Sequence, residues 1–125
     1  MEKFILVVDD STTLRASVQF ALTGAGYKVA EAKDGKDGLT VLQNIRSQGD
    51  QVSMIISDIN MPEMDGITFI KEVKKTPFKF IPILVLTTES QATKKMEGKV
   101  AGATGWLVKP FRSAQLIQVV KKLVG

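Results

Sequence analysis

An open, doubly wound α/β sheet is the fold class that this sequence predicts. Two observations carry the prediction. Five short apolar runs alternate with segments of helical spacing. Three of those runs are continuous rather than alternating, as parallel strands covered on both faces require.

The elements follow in order. The first run is Phe4–Val8. A helical stripe comes next at Leu14, Val18, Ala21, Leu22 and Ala25, with Gly24 and Gly26 as its stop signal. The second run, Val29–Ala32, is the weakest and belongs at a sheet edge. Asp34 is placed to cap the second helix, with Asp37 three residues on and a stripe at Leu39, Leu42 and Ile45. The third run is Met54–Ile56. Asp65 caps a helix carrying Ile67, Ile70 and Val73, which must end before Pro77. The fourth run is Ile83–Leu86, and the helix after it is thin: Ala92, Met96 and Val100 are spaced by four among polar neighbours. Trp106–Val108 forms the fifth run, and Leu116, Val119, Val120 and Leu123 form the fifth helical stripe. Right-handed crossovers then place helices on both faces of the sheet.

Composition narrows the chemistry. A chain of 125 residues, 44% hydrophobic and 24% charged, is expected to be one globular domain over residues 1–125. It has no cysteine and no histidine. Disulfides, thiolate metal sites and cysteine nucleophiles are excluded, and so are the commonest general base and any phosphohistidine. The apolar run after Glu2 and Lys3 ends at Val8, too short for a signal peptide or a membrane span, so a cytoplasmic protein is expected. The net charge is +4, but the lysines are dispersed: Lys71, Lys74, Lys75 and Lys79, then Lys94, Lys95 and Lys99, then Lys121 and Lys122. They read as solvated helix faces, with neither a nucleic-acid nor a membrane partner expected and an acidic partner surface as the alternative.

Ligands of such sheets bind beyond the carboxyl ends of the strands. Here the first strand delivers Asp9 and Asp10, the third Asp58, the fourth Thr87 and Thr88, and the fifth Lys109. Two carboxylates about 4 Å apart at an effective dielectric near 20 repel by roughly 4 kcal/mol. Lys109 offsets one charge, and the rest calls for a hard divalent cation with oxygen ligands. Magnesium fits best, and zinc is disfavoured without histidine or cysteine. Carboxylate, magnesium, lysine and hydroxyl are the parts of a phosphoryl-transfer site, with an aspartate as nucleophile. Spacing alone does not choose among the three aspartates.

Four motifs in register are more specific. Asp9-Asp10 after FILVV, SDINMPEMDG over Ser57–Gly66, LTTES over Leu86–Ser90 and GWLVKPF over Gly105–Phe111 resemble the response regulator receiver domain family, and within it the single-domain, CheY-like chemotaxis regulators. The resemblance covers essentially the whole chain. It implies a five-stranded parallel sheet of order 2-1-3-4-5 with five helices, an order shared with flavodoxin-like folds and borrowed from that class. It implies Asp58 as phosphoacceptor, Asp10 as main magnesium carboxylate with Asp9 beside it, and a backbone carbonyl of Asn60 on the metal, with Mn2+ as a substitute for Mg2+. Lys109 would pair with Asp58 and then with the phosphoryl group, and Thr87 would bond a phosphoryl oxygen. Pro110 would follow a cis bond that aims Lys109 inward. Trp106 stands where the family couples an aromatic, tyrosine in the CheY-like members, to Thr87. The larger indole has no hydroxyl, which puts an inward rotamer in doubt. Asn60 and Glu89 occupy positions that tune hydrolytic water. Met61-Pro62 and Asp65-Gly66 are expected to be loop and cap elements without chemistry.

The function so implied is a monomeric response regulator, not an enzyme beyond its own phosphorylation and autodephosphorylation. Its partners would be a histidine kinase, a phosphatase and a motor or regulatory protein docked on the fourth helix, fifth strand and fifth helix. No output domain is expected after Gly125. An intermediate carrier in a phosphorelay is the alternative. A haloacid-dehalogenase-like phosphatase wants two aspartates separated by one residue, whereas Asp9 and Asp10 are adjacent. A flavodoxin-like electron carrier would need an N–H-rich loop where these carboxylates lie. A receiver that is never phosphorylated would not need every part of the acceptor site.

Overall fold

Side chains of a strand point alternately to its two faces, and the first strand buries both. In a computed structural model, which describes residues 2–88, 97, 99 and 101–124, strand β1 spans Lys3–Val8. Ile5 and Val7 enter one core cluster while Leu6 and Val8 enter the other, all four at most 1% exposed. An unbroken apolar run is therefore what this strand needs. The remaining strands are β2 (Lys28–Ala32), β3 (Gln51–Asp58), β4 (Ile83–Thr87) and β5 (Gly105–Val108). All pair in parallel, in the order β2-β1-β3-β4-β5. The weak run is at the edge, as its polar content required.

Four helices are described over their whole length: α1 (Thr12–Gly24), α2 (Gly35–Ser47), α3 (Gly66–Lys74) and α4 (Ser113–Val124). Helices α1 and α4 cover one face through Val18, Leu22, Leu116 and Val120. Helices α2 and α3 cover the other through Leu42, Ile45, Phe69, Ile70 and Val73. The thin stripe at Ala92, Met96 and Val100 lies outside the described residues, although Glu97, Lys99 and Ala101 are helical. No helix of the described residues is long and apolar enough to cross a membrane.

The caps follow the polar signals. Asp34 accepts from Asp37 N–H at 2.8 Å and Asp65 from Thr68 N–H at 2.8 Å. The carboxylate of Asp37 reaches back to Lys33 N–H at 3.1 Å, which is one residue before the cap itself. Strand β3 runs well beyond the apolar Met54–Ile56. It incorporates Ser53 and Ser57, whose hydroxyls donate to the carbonyls of Phe4 (3.3 Å) and Asp58 (2.9 Å). A strand tolerates such residues when their hydroxyls find backbone acceptors.

Candidate functional site

Strand parity places the charged residues. Val7, Ile56 and Leu107 belong to the cluster on the α1/α4 face. Two residues further along each chain come Asp9, Asp58 and Lys109, so the same alternation carries all three to one rim. Asp9 is 2% exposed and Asp58 7% exposed, while Asp10 is exposed to solvent. Carboxylate oxygens of Asp9, Asp10 and Asp58 lie within 4.8 Å of one another.

Lys109 joins two of them. Its Nζ is 3.4 Å from Asp58 Oδ1 and 3.5 Å from Asp9 Oδ2. Its main-chain N–H donates to the Thr87 carbonyl at 2.7 Å, which ties the residue to the end of β4. The Lys109–Pro110 peptide bond is cis. Asp58 Oδ1 also accepts from Ile59 N–H at 2.8 Å. Burial raises the Asp58 carboxyl above its ordinary value. The Lys109 ammonium opposes that rise, the Asp9 charge adds to it, and the Ile59 N–H lowers it again. The net direction is upward.

One ammonium does not balance three carboxylates, two of them buried. All the ligand atoms on this rim are hard oxygens, so the residues present fit a divalent cation of the magnesium type. Asn60 is exposed two residues beyond Asp58, and Glu89 lies outside the described residues.

Thr87 is fully buried at the end of β4. It pairs in register with Val108, two residues after the pair Val85 and Trp106, so Thr87 and Trp106 lie on the same face of the sheet. Trp106 is part-buried against the α2/α3 core, beside a cavity of about 280 Å³ lined by Lys99, Ala103, Thr104 and Gly105. Its indole N–H is buried and has no hydrogen-bond partner among the described residues.

Three residues shape the site although the motifs and the periodicity assign them no chemistry. Ser11 caps α1, its Oγ accepting from Leu14 N–H at 3.2 Å, and its own N–H donates to Asp9 Oδ1 at 2.8 Å. Arg15 donates to the Asp9 carbonyl at 2.7 Å. Gly66 donates to the Ile59 carbonyl at 2.7 Å. A Cβ on Gly66 would overlap the Asp58 carbonyl oxygen and come within 2.7 Å of Ile59 Cα, so the first residue of α3 must be glycine for α3 to approach the end of β3. A serine before a helical stripe is the one cap signal that could have been found. The roles of Arg15 and Gly66 depend on partners far away in sequence or on backbone proximity.

Known proteins share this sequence pattern and this fold. The model of the response regulator receiver domain matches residues 5–121. The sensor histidine kinase CheAY of Helicobacter pylori is 38% identical over 122 residues, covering 96% of this chain, although the chain spans only 15% of that protein's length. Chemotaxis protein CheY-3 of Vibrio cholerae is 35% identical over 120 residues, covering 95% of this chain and 89% of that one. Among solved structures, Vibrio cholerae chemotaxis protein CheY4 superposes with a TM-score of 0.89 at 44% identity, covering 98% of this chain and 99% of that chain. With this sheet order, and with these acidic residues and this lysine on one rim, the chain belongs to the response regulator receiver domain family and is CheY-like.

Proposed function

We propose that this protein accepts a phosphoryl group on Asp58 from a histidine kinase and thereby changes its affinity for a downstream partner in chemotaxis signalling. The observation that carries the reading is the meeting of Asp58 with Lys109 at 3.4 Å inside a cluster that also holds Asp9 and Asp10. Similarity to two proteins named for chemotaxis, CheY-3 and CheY4, supports the pathway.

In this reading an Asp58 carboxylate oxygen attacks phosphorus. An O–P bond forms while the bond from phosphorus to the donor atom breaks, and the donor leaves with the electron pair. Oδ1 already accepts from Ile59 N–H and faces Lys109, which supports Oδ2 as the attacking atom. Lys109 then follows the new negative charge, and the Thr87 hydroxyl donates to a phosphoryl oxygen. Asp10, Asp58 and the Asn60 carbonyl, with Asp9 beside them, would hold a divalent cation that supplies positive charge to the phosphoryl oxygens. Trp106 shares a face with Thr87, and the partner surface is assigned to β5, α4 and the segment between β4 and β5.

Intact-mass measurement after incubation with MgCl2 and a small acyl phosphate tests the reading. One phosphoryl adduct is expected on the wild type and none on Asp58→Asn. A wild type without adduct, or an undiminished adduct on the variant, overturns it.

A further inference from the structure

Asp9 is engaged at every polar atom it has. Its N–H donates to the Ala32 carbonyl at 3.1 Å, Oδ1 accepts from Ser11 N–H at 2.8 Å, and Oδ2 faces Lys109 Nζ at 3.5 Å. Its carbonyl oxygen accepts from Arg15 Nη1 at 2.7 Å. The arginine is itself tied down, since Nε donates to Glu31 Oε1 at 3.2 Å with the side chain 18% exposed. Arg15 sits near the start of α1, and Glu31 lies on the edge strand β2 in register with Val7. One guanidinium thus spans α1, the end of β1 and β2.

We infer that Arg15 is a positioning residue that sets the divalent-cation affinity of the acidic rim by fixing the Asp9–Asp10 peptide plane. The Asp9 carbonyl and the Asp10 N–H share one planar unit. An arginine holding that oxygen also fixes the direction in which Asp10 leaves the strand. Asp10 is solvent-exposed, so its carboxylate depends on that plane for its placement. The arginine's charge acts the other way, because a guanidinium near a cation site repels the cation. Position and charge therefore predict opposite signs when Arg15 is removed. Lysine cannot substitute, because its single point charge lacks the fork that reaches a carbonyl and a carboxylate together.

The inference rests on reading Asp9, Asp10 and Asp58 as a cation site. Calorimetric titration of the full chain with MgCl2 tests it, with the Tm measured separately without magnesium. Arg15→Gln is expected to raise the Mg2+ Kd about tenfold, the usual effect of losing a residue that orients a metal ligand. Arg15→Lys is expected to do nearly the same although it keeps the charge. Glu31→Gln, which replaces the charged acceptor of Nε by a neutral amide oxygen, is expected to raise Kd roughly two- to threefold. A merely structural role would lower the Tm and leave Kd unmoved. Unchanged or tighter Mg2+ binding by Arg15→Gln, with the wild type binding, overturns the inference and leaves the site reading intact. If Arg15→Gln does not fold, an unchanged Kd for both Arg15→Lys and Glu31→Gln overturns it equally. A wild type that takes up no Mg2+ overturns the site reading and this inference with it.

Discussion

Lys109 Nζ lies 3.4 Å from Oδ1 of Asp58 although β4 separates the strands that carry them. Adjacent strands are about 4.8 Å apart, so the pair bridges roughly 10 Å of sheet edge, which the long lysine stem can span. The same ammonium faces Asp9 at 3.5 Å. Lys109→Met should therefore leave two buried carboxylates without their shared countercharge. At neutral pH and without metal, a loss of about 1–3 kcal/mol is expected, below the full value for a buried pair because Lys109 is partly exposed. Urea denaturation measures it, and the loss should shrink at acid pH as Asp58 takes up its proton. An equal loss at both pH values would rule out the charge explanation.

Asp58 gives the opposite sign. Its carboxyl is raised in the folded state, chiefly by burial, so the native protein holds the proton more tightly than the unfolded chain. Stability therefore falls as pH rises from the ordinary carboxyl value of 3.8 through the raised one. Asp58→Asn removes that titration. Without metal, the variant should match the wild type in Tm at the acid end and exceed it at pH about 7 by a few degrees, or about 1 kcal/mol. Melting curves across the pH range decide it, and a variant less stable at neutral pH would count against it.

Gly66 makes a steric claim. Adding one methyl would force α3 away from the Asp58 carbonyl and Ile59 Cα. Gly66→Ala should cost about 2–4 kcal/mol, because backbone atoms have less room to yield than side-chain ends. It should also lower the rate of acyl-phosphate labelling by shifting the end of β3. Wild-type stability in the denaturation curve would show that this approach is looser in solution.

Trp106 buries an indole N–H with no partner among the described residues, and a buried unpaired donor costs about 1–3 kcal/mol. Trp106→Phe loses ring area but also removes that donor, so the two effects oppose. A net loss below about 1 kcal/mol is expected, far from the roughly 3–5 kcal/mol of truncating a buried aromatic to alanine. A loss above about 2 kcal/mol would indicate that the N–H finds an acceptor in solution. Because Trp106 is the only tryptophan, its emission also reports whether the ring moves on the proposed phosphorylation of Asp58.

Much of this is legible locally. Short apolar runs locate the strands and a period of 3.6 locates four of the helical stripes, and Asp34 and Asp65 mark two of the caps, because these signals involve residues a turn or two apart. Strand β3 is longer than its apolar run because Ser53 and Ser57 satisfy their hydroxyls on carbonyls, one of them on a neighbouring strand. Gly66 reads as a simple cap residue in the sequence, and only its approach to the Asp58 carbonyl shows why no side chain fits there. Arg15 carries no pattern, since its carboxylate partner is 16 residues away.

From residue order alone came the strand–helix alternation, and with it an acidic and lysine-bearing edge at the strand ends; family motifs then singled out Asp58. Folding in three dimensions settled which groups meet: Asp9 buried and fully engaged, Asp10 exposed, and Lys109 shared between two carboxylates, one of them 100 residues away. Such distances follow from sheet order and crossover packing, sums over the whole chain that no local pattern encodes.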